Sequence, residues 1–217
     1  MVNILKFKHK LCRKYGEDIW GTVLQKGKFN KTGEYLSNVD TRMKRLSRTS
    51  AFKTILNDRK KVCLFYGGLK AYELLRYCKT AKYNGTGAFT DDVVSLLERR
   101  LAVVVYRMHF SRSIAEAITY IKRGYFLVNR EVLFTGNYLV NVGDIIEVNP
   151  KYRKELWTEL NDRLGKEFFP VTYPKYLEVN YQIMSGILVS EPKMSEVYYP
   201  FNLEHNFYYI YYHSRIR

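Results

Sequence analysis

Between residues 93 and 148 the spacing of apolar side chains changes once, and that change restricts the folds open to this chain. Val94, Leu97, Leu101, Val104, Val105 and Met108 recur at helical steps and share one stripe. The spacing predicts a single helix over 93–108. Thr90 is placed to cap it, with Asp91 and Asp92 at the positive end of its dipole, a use that outweighs a magnesium-holding pair. Ser113-x-x-Glu116 is a capping box that opens a second helix. Ala117, Ile118 and Ile121 form its apolar side, and Gly124 stands where a helix ends in the left-handed conformation. Beyond it the apolar runs shorten to three or four residues, at 126–128, 132–134, 138–140 and 145–148. Turns separate them at Asn129-Arg130 and Gly143-Asp144. The pattern predicts two helices and a small antiparallel sheet.

The flanking segments have a different character. Phe52, Ile55, Leu56, Val62, Phe65, Leu69, Tyr72 and Leu75 again recur at helical steps, with Gly67-Gly68 separating two helices. Asn84-Gly85-Thr86-Gly87 lacks the Gly-Lys-Ser/Thr of a phosphate-cradling loop and is expected to be a connection. Residues 25–50 form an extended basic loop. In the C-terminal part, Glu155, Glu159 and Asp162 suit a solvated helix face, and the aromatic run at 207–212 is expected to be an inner strand. The fold class is α+β. The division is a basic arm over 1–50, the first part of a mainly helical body over 51–92, the helix–sheet module over 93–150, and a segment 151–217 that completes the body.

Charge then narrows the partner. The 217 residues carry 36 Lys+Arg against 21 Asp+Glu, a formal +15. Such an excess favours a polyanion, with nucleic acid ahead of an anionic membrane surface. Residues 1–92 hold 20 basic and 8 acidic side chains, so most of the excess precedes the module. Apolar residues lie within this basic region (Ile19, Trp20, Val23 and Leu24), which favours a segment that orders on a partner. Arg42, Lys44, Arg45 and Arg48 crowd into one short strip suited to phosphates. On one continuous helix, Arg100 and Arg107 fall within about 20° of each other, spaced for neighbouring phosphates. Lys122-Arg123 serve equally as complements to a helix C-terminus or as phosphate contacts. No apolar run reaches the ~18 residues of a membrane span. The three cysteines, Cys12, Cys63 and Cys78, form no CxxC pair, which favours a reducing compartment and leaves no zinc-ligand set.

The 93–148 segment, from Leu96-Leu97-Glu98-Arg99-Arg100 through Arg112-Ser113-Ile114 and Val128-Asn129-Arg130 to Ile145-Ile146-Glu147-Val148, resembles the RNA-binding module of the small-subunit ribosomal protein four family. The segment from Asp58 to Lys70, the run Tyr176-Leu177-Glu178-Val179-Asn180, and the ending Tyr211-Tyr212-His213-Ser214-Arg215 resemble other segments of the same family. Phe7-Lys8 through Cys12-Arg13, with Trp20-Gly21, looks like the mitochondrial version of its N-terminus. The likeness spans nearly the whole chain. Departures are Ile114 in place of an arginine, Arg130 in place of a glycine, Cys63 in place of an arginine, and a lone Cys12 where some relatives have four zinc-binding cysteines.

The resemblance implies a structural constituent of the ribosome without cofactor or catalysis. It would be a primary binder of small-subunit rRNA, docking on the 5′ domain at a multi-helix junction early in assembly. It would lie near the mRNA entry, beside ribosomal proteins five and twelve. The residues it points to are Arg99, Arg100, Arg107, Arg112, Lys122 and Arg123 in the module, Lys60 and Lys61 upstream, and Arg13, Lys14, Arg42, Lys44, Arg45 and Arg48 in the arm. The expected compartment is the mitochondrial matrix, with the protein encoded in the organelle, since 20 Tyr and 12 Phe are what AT-rich coding sequence produces. A plastid or a bacterial cytoplasm is the alternative. The rival function is an RNA-modifying enzyme or ribosome-rescue factor carrying the same module. The remaining tail offers no nucleophile–base pair for such an enzyme.

Overall fold

A two-glycine stop shapes the first unit. The computed structural model describes residues 8–15, 17–20, 51–84, 87–164, 174–203, 207 and 210–211. The chain divides into two units, one formed by Met1–Gly85 with Tyr198–Arg217 and the other by Thr86–Val197. In the first, α1 spans Lys8–Tyr15, α2 Ala51–Phe65 and α3 Ala71–Asn84. Gly67 and Gly68, at φ 82° and 78°, end α2, and the amides of Gly68 and Leu69 bond the Cys63 carbonyl at 3.0 and 2.9 Å. Left-handed φ at two successive residues is cheap only for glycine.

The C-terminal chain closes this unit. Phe65, Tyr66, Tyr199 and Phe201 form an aromatic cluster with centroids 5.2–6.2 Å apart. The Tyr66 and Tyr199 hydroxyls are 2.6 Å apart. Phe207, Ile210 and Tyr211 are buried and helical, not the inner strand expected for 207–212. Their spacing of three and four is a helix face, but in an unbroken aromatic run periodicity cannot separate the two states.

Cys12, Cys63 and Cys78 are all buried in this unit. Burial pushes the Cys63 thiol up to about 11 and Cys78 to about 12, with Arg59 only partly opposing the first. At pH 8 both are expected to alkylate roughly a hundredfold or more slower than in the unfolded chain, since the thiolate is the reactive form. Residue-resolved iodoacetamide labelling with and without urea checks this; equal rates would contradict the burial.

Among the described residues, the second unit combines four α-helices with an antiparallel sheet. α4 spans Phe89–Glu98, α5 Leu101–Arg107 and α6 Ile114–Lys122. Strands β1 (Phe126–Val128), β2 (Glu131–Val132), β3 (Ile145–Val148), β4 (Leu177–Asn180) and β5 (Ser185–Leu188) follow, with α7 (Arg153–Leu164) between β3 and β4. The sheet order is β2-β1-β3-β5-β4. Residues 151–197 therefore belong with the module, whereas the sequence placed all of 151–217 with the body. The cause is pairing at a distance: β3 lies beside β5 with Ile145 opposite Ile187. At Gly186 an added Cβ would sit 2.7 Å from the Met108 methyl and 3.0 Å from the Glu178 carbonyl oxygen. The bare backbone lets the end of α5 pack on the sheet.

The helix expected over 93–108 is two helices. Arg100 is extended, at φ −64° and ψ 130°, and caps α5. The 136–140 segment takes over the ladder bonds at the break. Leu101 N donates to Tyr138 O at 2.8 Å, Ala102 N to Gly136 O at 3.1 Å, and Val140 N to Arg99 O at 2.8 Å. Those partners replace the helical bonds that would otherwise be lost. The strand expected at 138–140 is reduced to a single bridge between Leu139 and Arg100. The N-cap of α4 is Ala88, not Thr90, which enters the first turn with Asp91 and Asp92.

Candidate nucleic-acid interface

The break between α4 and α5 decides which arginines can reach a ligand. In a continuous helix Glu98 and Arg107 would point to opposite sides, about 14 Å apart along the axis. Here Arg107 Nε and Nη2 donate to the two Glu98 carboxylate oxygens at 2.9 and 2.8 Å. Tyr176 Oη donates to the same carboxylate at 2.8 Å. Glu98 is fully buried and Arg107 9% exposed. Arg100, 2% exposed, donates to Asn137 Oδ1 at 2.6 Å. Arg99 donates to Val140 O at 2.8 Å and Asn141 Oδ1 at 2.7 Å, and lies 3.5 Å from Glu191. The pairing of Arg100 and Arg107 for neighbouring phosphates is therefore corrected: both serve the fold, because a broken helix turns them inward.

In the first unit Lys61 is likewise committed to protein. Its Nζ donates to Glu17 at 3.0 Å and the Asn202 carbonyl at 3.3 Å, and lies 3.5 Å from Asp58. Lys60 and Lys14 are exposed, Lys14 with its ammonium 5.7 Å from the Tyr15 ring centre. Arg13 lies on α1, but its side chain falls outside the described residues, as do Arg42, Lys44, Arg45 and Arg48 altogether.

Arg112, Lys122 and Arg123 stand exposed around α6. Ser113 Oγ accepts from Glu116 N at 3.3 Å, as the capping box requires. The Glu116 carboxylate, however, bonds Arg112 N at 2.6 Å, one residue beyond the usual partner. Gly124 ends the helix at φ 79°. Ile114, Ala117 and Ile121 point inward, so Thr119 and the C-cap Arg123 share the outward side, while Arg112 is exposed just before the N-cap.

Sequence reasoning did not bring the start of α7 to this place. Asn149 donates from Nδ2 to Gly124 O at 3.0 Å and from its amide to Tyr125 O at 2.8 Å. That sets the chain leading into α7 against the end of α6. Three tyrosines stack there: Tyr120 on Tyr125 at 5.0 Å, and Tyr125 on Tyr152 at 3.9 Å with planes 6° apart. Tyr120 and Tyr125 donate to Glu159 and Glu155, each at 2.9 Å, so these two acids orient the stack rather than merely facing water. Burial and then Glu155 raise the Tyr125 phenol, while Arg123 pulls it down. Arg123, acting on the Tyr125 phenol, and Lys151, its ammonium 5.4 Å from the Tyr152 ring centre, thus flank an ordered aromatic support whose outer ring, Tyr152, is half-buried. Phosphate charge and a stacking face are what RNA recognition uses.

A second cation arises at the β1–β2 turn. Asn129 and Arg130 have φ 50° and 71°, the pattern of a type I′ turn. Asn129 Nδ2 donates to Asp144 at 2.9 Å, and its Oδ1 accepts from Ile145 N at 3.0 Å, which holds the turn. Arg130 stays exposed in a conformation that costs a non-glycine residue about 1–2 kcal/mol. Arg130→Gly is expected to raise stability by up to about 1 kcal/mol, read from the urea midpoint. A lowered midpoint would refute the strain.

Residues 99–146 match the S4 domain. Small ribosomal subunit protein uS4m of Reclinomonas americana is 31% identical over 93% of this chain and 80% of its own length. Small ribosomal subunit protein uS4 of Granulibacter bethesdensis is 32% identical over 92% of this chain and 93% of its own. The chain belongs to the uS4 family. The likeness runs through both units. The S4 match takes in Arg112, Lys122, Arg123 and Arg130, but not β4, β5 or Lys151. The uS4 of Acidiphilium cryptum, 31% identical, is similar over 92% of the chain.

Proposed function

We propose that this uS4-family chain is a non-enzymatic structural constituent of the small ribosomal subunit, bound to its rRNA. The observation that carries the reading is the likeness to small-subunit proteins over more than nine-tenths of the chain, with an S4 match over 99–146 that takes in the exposed Arg112, Lys122 and Arg123. Arg112, Lys122 and Arg123 contact phosphates, joined by Lys151, Lys14 and Lys60. The basic N-terminal arm, with Arg13, Arg42, Lys44, Arg45 and Arg48, supplies further electrostatic attraction. Buried Arg100, Arg107 and Lys61 hold the fold.

The finer reading is a primary binder of the rRNA 5′ domain, acting early in assembly near the mRNA entry and beside ribosomal proteins five and twelve. The compartment is the mitochondrial matrix, which the uS4m relative supports. Among the described residues no helix is long and apolar enough to cross a membrane. Crosslinking the tagged protein in cells and sequencing the attached RNA tests the reading. The expected result is a cluster in the 5′ domain of small-subunit rRNA, with the protein cosedimenting with that subunit. Attachment mainly to tRNA or free mRNA would overturn it.

A further inference from the structure

The sheet of the second unit has one face of buried side chains, Phe126, Val128, Ile146, Val148, Leu177 and Leu188, and one face turned outward. Register assigns the outward positions. Val132 stands beside Leu127 and Leu127 beside Glu147; Ile145 stands beside Ile187 and Ile187 beside Glu178. The rest of that face is Ser185 and Asn180. Ile145 is 40% exposed, Ile187 36%, and Val189, two residues on, 45%. Two acids and no Lys or Arg occupy these outward strand positions, in a chain of formal charge +15.

We propose that this outward face binds another protein, one that presents an apolar strip flanked by lysines or arginines. The proposal rests on the ribosomal reading above and adds a second, oppositely charged surface to it. Exposed β-branched residues in adjacent register form a contiguous apolar strip, which a soluble domain ordinarily covers or uses. RNA is a poor occupant, because Glu147 and Glu178 would meet phosphates with no cation on the strands to offset them. A second copy of the chain is also a poor occupant, since in a two-fold contact through this face each copy would offer the other's acids no Lys or Arg from its strands. A basic protein satisfies both components. Its apolar strip covers Ile145, Ile187 and Val189, and its cations meet Glu147 and Glu178. The charge on the two surfaces of the unit then sorts ligands: nucleic acid to α6, protein to the sheet.

The test uses the full-length protein in assembled small subunits, with benzoylphenylalanine at position 187 and, separately, at Thr119 on the α6 side. Irradiation of the Ile187 variant is expected to give an adduct with one protein, through a peptide rich in Lys or Arg, and the Thr119 variant an adduct with rRNA. Glu147→Lys combined with Glu178→Lys should lower the protein adduct at position 187 at least about tenfold while leaving the rRNA adduct at position 119 unchanged. An rRNA adduct at position 187, an adduct with a second copy, no adduct, or a yield indifferent to the charge reversal each overturns the proposal. If the protein does not sediment with the small subunit, or position 119 fails to reach rRNA, the ribosomal reading fails instead.

Discussion

Arg107→Ala is expected to lower the stability of the second unit by about 3–5 kcal/mol, the cost of leaving one partner of a buried ion pair without the other. Glu98 is fully buried and takes two hydrogen bonds from Arg107 and one from Tyr176. The pair ties the end of α4 to the end of α5, and Tyr176 ties both to the chain entering β4. Truncation therefore strands a carboxylate among apolar groups. Arg107→Lys keeps a charge but loses the two-pronged geometry and should fall between the extremes. Glu98→Met combined with Arg107→Met should recover much of the loss, because an apolar pair leaves no buried charge; Tyr176 would still lack its acceptor, so recovery stays partial. Urea unfolding followed by far-UV circular dichroism measures all three variants. A loss below about 1 kcal/mol for Arg107→Ala, or weakened rRNA binding at unchanged stability, would return this arginine to the interface.

The opposite outcome is expected for Arg112→Glu, Lys122→Glu and Arg123→Glu made together. All three side chains are exposed, and stability should change by no more than about 1 kcal/mol. Affinity for small-subunit rRNA should fall at every salt concentration. The slope of log affinity against log salt should become shallower by about 2–3, since each phosphate contact contributes somewhat less than one unit. Filter binding between 50 and 300 mM salt, the range in which counterion release dominates, reads both quantities. An unchanged slope would sink the assignment of these residues to phosphates, whatever happened to affinity. Together the two experiments separate arginines that hold the fold from cations that hold RNA.

What could be read along the chain was what neighbours in sequence decide. The Ser113–Glu116 cap, the stop at Gly124 and the Gly67-Gly68 break each depend on atoms within a few residues, and each lies where its residues direct. The Asn129-Arg130 turn also formed where two short apolar runs met, although it lacks glycine, because Asp144 and the Ile145 amide hold Asn129 from across the sheet.

The chemistry of the arginines was not local. Sequence alone determined an α+β chain with a helix–sheet module and a strongly cationic balance. Only the tertiary structure decided that Arg100 and Arg107 turn inward. The 136–140 segment takes the amides of Leu101 and Ala102, the helix breaks, and Glu98 meets Arg107. Tertiary pairing likewise added β4 and β5 to the sheet and tied Asn149, ahead of α7, to the end of α6. Helical periodicity records which face of a segment is buried. It does not record whether a distant segment will compete for that helix's own backbone hydrogen bonds, and here that competition fixes which cations remain free to meet RNA.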